Sequence, residues 1–172
     1  MLCPGPSLAS FDGCCSDYDI TIGVNRAASA YACDYYVALD AKSYEMAAPL
    51  GEPVIVTVKH SLAEMCQRHP ELTGRAWMPY SDAGCDIASN FGAFSSTAAL
   101  VLAHHLGAST VHVYGADMAG EADFDGYENP QNRRDALRWA KEARQWVALV
   151  DELAGKGTRV VRVLQEVACL SI

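Results

Sequence analysis

Short apolar runs, several of them rich in β-branched residues, recur along this chain at 19–24, 35–40, 53–58, 75–80, 110–115 and 158–164, and helical segments fall between most of them. That alternation narrows the architecture sharply. Strands separated by helices pair most readily in parallel, and the helices then cover both faces of the sheet. The expected fold class is therefore α/β, three layers with a mainly parallel sheet and helices on both faces. A small-residue segment occupies 27–32, and a short helix is predicted over 41–50, ended by Pro49 and Gly51. Ser61-Leu62-Ala63-Glu64 has the capping-box pattern of a helix running to Arg68. Residues 98–106 read as a helix apolar on nearly every side, stopped by Gly107. A long amphipathic helix is predicted over 130–154, with Ala136, Leu137, Ala140, Ala143, Trp146, Val147, Val150 and Leu153 at helical spacing. Few apolar residues precede Gly5, so the first strand is expected to be very short.

A length of 172 residues suits a single domain over 1–172. With 51% hydrophobic and 20% charged residues, general disorder is excluded. A net charge of −8 argues against a nucleic-acid surface built on phosphate neutralisation, yet it leaves room for a local basic pocket. The seven cysteines contain no C-x-x-C pair, and Cys14 and Cys15 are adjacent, which is poor spacing for zinc. Free thiols in a reducing compartment are the expectation. No charged segment followed by an apolar run opens the chain, and no apolar stretch reaches the roughly 18–20 residues of a bilayer span. A soluble, cytoplasmic protein is expected, its oligomeric state left open.

In parallel sheets ligands collect at the C-terminal strand ends, near the point where strand order reverses. Those ends gather Gly5, Pro6 and Ser7, then Asn25 and Arg26, Asp40, Lys59 with His60, Ser95 with Ser96 and Thr97, and Asp117. The Gly5-Pro6-Ser7 turn either presents backbone N–H groups to an anion or is a plain strand-to-helix turn. Ser95, Ser96 and Thr97 either hold a phosphate or ribose or merely cap their helix. Asn25 suits a base edge or ribose hydroxyl, and Asp40 a ribose hydroxyl or a metal; both residue types are also routine in turns and caps. The acidic run Asp117, Glu121, Asp123, Asp125 and Glu128 lacks the last glutamate of a calcium loop, so a solvated loop is expected and no metal site is assigned. Arg133 and Arg134, at the start of the long helix, either recognise a phosphate as their segment folds over the nucleotide or are plain surface arginines, and a short lid is expected over 118–132. Of the histidines, only His60 stands at a predicted strand end, where acid–base work is feasible. G-x-S-x-G, G-x-G-x-x-G and Walker A patterns are all absent.

Taken in order, Gly5-Pro6-Ser7-Leu8, Asn25, Ala38-Leu39-Asp40, Ser95-Ser96-Thr97 and Tyr114-Gly115-Ala116-Asp117 form a pattern. It resembles the Rossmann-like superfamily of bacterial sialyltransferases of the Campylobacter lipooligosaccharide type. The related domain of unknown function 115 group, with flagellin-modification proteins and archaeal hydroxymethylpterin diphosphokinases, is similar. The resemblance implies a Rossmann-like fold, with Gly5, Ser7 and Asn25 on the CMP part of a CMP-sialic acid donor and Ser95, Ser96 and Thr97 near the nucleotide or sugar. Two departures stand out. Pro4 takes the place of the usual Asn before Gly-Pro-Ser, and no His follows His112, although the transferases carry a catalytic His in their lid.

The leading expectation is a nucleotide-sugar-binding, glycosyltransferase-like protein in which Asp117 or His60 is the base and Gly5, Pro6, Ser7, Asn25, Arg26, Asp40, Ser95, Ser96, Thr97, Arg133 and Arg134 meet the nucleotide. One alternative is a diphosphokinase-like phosphoryl transferase, for which Mg²⁺ would be the cofactor. The other is a catalytically degenerate domain that binds a nucleotide or a partner without turnover.

Overall fold

The structure is a computed structural model that describes residues 1–13, 15–82, 91, 94–128 and 135–163. Four strands, β1 (Ile22–Val24), β2 (Tyr35–Val37), β3 (Val54–Thr57) and β4 (Trp77–Pro79), form one sheet in that order, every pair parallel. β5 (Thr110–Val113) and β6 (Arg159–Arg162) form a second parallel pair. Segment 1–3 stands between the two sheets. Leu2 bridges in parallel to both Gly23 and Tyr114. Its N–H donates to the Ile22 carbonyl at 2.8 Å, and the Cys3 N–H donates to the Tyr114 carbonyl at 2.8 Å. The spatial order is thus β4, β3, β2, β1, segment 1–3, β5, β6. Chain order runs one way from segment 1–3 to β4 and the other way from segment 1–3 to β5, so it reverses beside Cys3.

Alternation along the strands separates two cores, as a pleated sheet with both faces covered requires. Val24, Val37 and Val56 pack in one cluster with Leu100 and Leu102 of α3 (Ser95–His105) and with Trp146, Leu149 and Leu153 of α4 (Ala136–Gly155). Tyr36 and Ile55 face the other way, against Ala41 and Tyr44 of α1 (Ala41–Met46) and Met65 of α2 (Lys59–Arg68). The result is the three-layer, Rossmann-like α/β fold expected from the sequence. Among the described residues no helix is long and apolar enough to cross a membrane.

The strands are shorter than the apolar runs that predicted them: β2 and β5 lose the last residues of their runs to the strand-end loops, β1 loses the first, and β3 and β4 are trimmed at both ends. α2 begins at Lys59 rather than at Ser61, and no side chain caps it. Ser61 is buried, and its hydroxyl donates instead to the Leu39 carbonyl at 2.8 Å, tying α2 to the end of β2. α4 begins at Ala136 under an Asp135 cap, while residues 130–134 of the predicted helix lie outside the described residues. Its register also differs. Leu137 and Val147 are 75% and 64% exposed, whereas Glu142, Trp146, Leu149 and Leu153 are the buried stripe.

Burial pushes the Cys3 thiol from its ordinary 9.0 up to about 12, and burial with the neighbouring Cys15 does the same for Cys33. Between those limits the unfolded chain binds fewer protons than the folded one, so stability falls as pH rises. Urea midpoints are therefore expected to drop across the window from 9 to about 12, and replacing Cys3 by alanine should flatten part of that slope.

Candidate functional site

A cavity of about 500 Å³ opens at the strand ends beside the reversal of chain order. Its floor is where the loops after segment 1–3 and β5 cross. The Gly5 N–H donates to the Gly115 carbonyl at 2.8 Å. A Cβ on Gly5 would lie 2.3 Å from both that carbonyl and Asp117 Oδ2, so only glycine fits there. Gly115 has φ of 71°, and a Cβ on it would lie 2.0 Å from the Cys3 carbonyl oxygen. Asp117 Oδ2 accepts the Ser7 N–H at 2.9 Å, at the start of the short 3₁₀ turn Pro6–Ser10. An internal carboxylate therefore takes the backbone N–H that sequence reasoning offered to an anion. Gly5 and Asp117 line the cavity; Pro6 and Ser7 do not.

At the end of β1 the chain enters the 3₁₀ turn Asn25–Ser29. Asn25 has φ of 47° and lines the cavity, and its buried Oδ1 has no hydrogen-bond partner among the described residues. Asparagine tolerates this left-handed backbone better than most side chains. Arg26 also lines the cavity, but its guanidinium is engaged with the loop after β5. Nε lies 3.2 Å from Asp123 Oδ2, a terminal nitrogen pairs with Asp125, and Cζ sits 4.2 Å from the centre of the Tyr127 ring. The Phe124 N–H donates to the Pro4 carbonyl at 3.0 Å, and Trp139 Nε1 to the Gly120 carbonyl at 3.0 Å. The segment expected to be a lid is thus fastened down, as far as residue 128. Its acidic run is not simply solvated: Asp123 is buried on Arg26, while Glu121, Asp125 and Glu128 are exposed.

The remaining strand ends contribute unevenly. Asp40 lines the cavity while capping α1, its Oδ1 accepting the Ser43 N–H at 2.8 Å and the Ser43 hydroxyl at 3.0 Å. Ser95 lines it too, and its oxygen accepts the Leu39 N–H at 3.3 Å. Ser96 donates to Glu142 Oε1 at 2.6 Å and accepts from Trp146 Nε1 at 3.1 Å. Thr97 is fully buried off the cavity, bonded to the Phe91 and Phe94 carbonyls. None of the three hydroxyls caps α3, whose N-cap is Phe94. His60 is exposed in the first turn of α2 and does not line the cavity. Arg133 and Arg134 lie outside the described residues.

Sequence reasoning missed the wall supplied by α4, which brings Arg138, Trp139 and Glu142 to the cavity, and it missed Lys42 on the rim. One signal was available. Glu142 stands one turn from Trp146 in the stripe that continues to Leu149 and Leu153, so a carboxylate occupies a position that should be apolar. Among the described residues no group of three His, Cys, Asp or Glu is placed to hold a metal ion. The chain matches no protein-family model, no curated protein and no solved structure at a significant level.

Proposed function

We propose that this chain binds a nucleotide or nucleotide-sugar in the strand-end cavity and works as a glycosyltransferase-like protein. The observation that carries this reading is the position of the cavity, beside the reversal of chain order, where open parallel sheets bind their ligands. Its volume of about 500 Å³ falls within the roughly 300–1,000 Å³ typical of small-ligand sites. The unpartnered Asn25 Oδ1 offers an acceptor to a base amine or ribose hydroxyl. Arg26 and the Ser7 N–H are engaged inside the protein, and Lys42 and Arg138 bring further positive charge to the cavity wall.

The test is a thermal-shift panel of CMP, UDP, GDP, ATP, NAD and sugar conjugates, each with and without Mg²⁺. A specific ligand raises the unfolding temperature with the logarithm of its concentration over Kd. One nucleotide and its sugar conjugate are expected to stabilise the protein without a metal. Stabilisation by ATP or GTP only with Mg²⁺ would instead support the diphosphokinase-like reading, and binding without turnover the degenerate one. Silence across the panel would overturn nucleotide binding altogether.

A further inference from the structure

Four carboxylates line the cavity, and three of them are occupied in holding the fold. Asp117 receives the Ser7 N–H, Asp40 caps α1, and Asp123 pairs with Arg26. Glu142 differs from all three. It is only 9% exposed, it has no cationic partner among the described residues, and its one hydrogen bond there comes from the Ser96 hydroxyl. A buried carboxylate with so little compensation weakens a fold, and an apolar side chain at this point of the α4 stripe would be the more stable choice. Its orientation is nonetheless well defined. Indole N–H groups only donate, so Trp146 gives its proton to Ser96. Ser96 has one proton of its own, and with the indole on its lone pair that proton is aimed at Glu142 Oε1. The relay Trp146, Ser96, Glu142 fixes a carboxylate in the wall of the cavity, which Cys3 at the end of segment 1–3 also lines.

We infer that Glu142 is the catalytic proton acceptor of this cavity, with Ser96 and Trp146 as positioning residues; this rests on the nucleotide-sugar reading above. An acceptor hydroxyl, or water in its absence, attacks the anomeric carbon of the bound donor through oxygen. The bond from that carbon to the phosphate oxygen breaks, and its electron pair leaves with the nucleotide. The proton of the attacking oxygen passes to the Glu142 carboxylate and then to solvent.

Water as acceptor makes the test independent of the natural one. The donor that gives the largest thermal shift is incubated with the wild type, Glu142→Gln, Glu142→Ala and Ser96→Ala, and free nucleotide release is measured beside donor affinity and melting temperature. Glu142→Gln is expected to bind the donor within about twofold of the wild type and to release nucleotide about 100-fold or more slowly, the usual contribution of a positioned base. Formate should restore part of the rate to Glu142→Ala and none to Glu142→Gln, a recovery that a structural role would not give. Ser96→Ala should lose rate with affinity unchanged. Should Glu142→Ala fail to fold, Glu142→Gln keeps the side-chain volume and the Ser96 contact and carries the test alone. Undiminished release by a folded Glu142→Gln, or donor binding with no release by the wild type, would overturn the assignment while leaving the binding reading intact. Absence of donor binding to the wild type would remove both.

Discussion

Replacing Gly115 by alanine is expected to destabilise the protein by roughly 3–5 kcal/mol, combining overpacking with a left-handed backbone at a side chain that disfavours it. The added Cβ would sit 2.0 Å from the Cys3 carbonyl oxygen and 2.9 Å from Leu8 Cβ. Relief would require Cys3 to move, and the Cys3 N–H is bonded to the Tyr114 carbonyl in the ladder that joins the two sheets. Gly5→Ala is the informative comparison. Gly5 has φ of −70°, which any residue adopts, so the penalty there is steric alone and is expected to be smaller, about 1–3 kcal/mol. Urea unfolding of both variants measures the difference. A Gly115→Ala variant as stable as the wild type would mean that the two loops do not cross as described.

The second large effect is expected at Arg26. Truncation to alanine takes the cation away from the buried Asp123, whose side chain is only 2% accessible, and such losses run to about 3 kcal/mol or more. Asp125, at 38%, adds little because water screens it. Pairing Arg26→Ala with Asp123→Asn should recover part of the loss, since the buried charge is then gone. Limited proteolysis supplies an independent readout: cleavage within 118–128 should become faster in Arg26→Ala and slower again in the double variant. A single variant with wild-type stability and cleavage would contradict the latch.

These residues also explain which parts of the molecule were legible in the sequence. Strand periodicity carried the fold, because Val24, Val37 and Val56 against Tyr36 and Ile55 is a pattern that burial on two faces imposes. The strand ends could be gathered for the same reason. What each end does with its polar groups was beyond reach, since it depends on partners far away in the chain. Asp117 meets Ser7 across 110 residues, Ser96 meets Glu142 across 46, and Arg26 meets Asp125 across 99. From local rules Ser7, Arg26 and Ser96 read as nucleotide contacts, Asp117 as a base and Asp125 as part of a solvated loop, whereas in the fold they bond one another or Glu142. The α4 register was misjudged for a related reason. Leu137 and Val147 satisfied helical spacing, but Trp146, Leu149 and Leu153 fit the sheet, and Glu142 came with them into the wall.

Seating of a nucleotide against Asn25 in the strand-end cavity is the central proposal. It is tested most directly by repeating the thermal-shift titration with the best nucleotide on Asn25→Gly. Glycine accepts the φ of 47° without strain and removes the amide, so the fold is spared while the ligand contact is lost. The predicted result is a wild-type shift that grows with nucleotide concentration and an Asn25→Gly shift displaced to at least about tenfold higher concentration, the loss of one well-placed hydrogen bond in a buried site. Identical titrations for the two proteins, or no shift in the wild type, would contradict it.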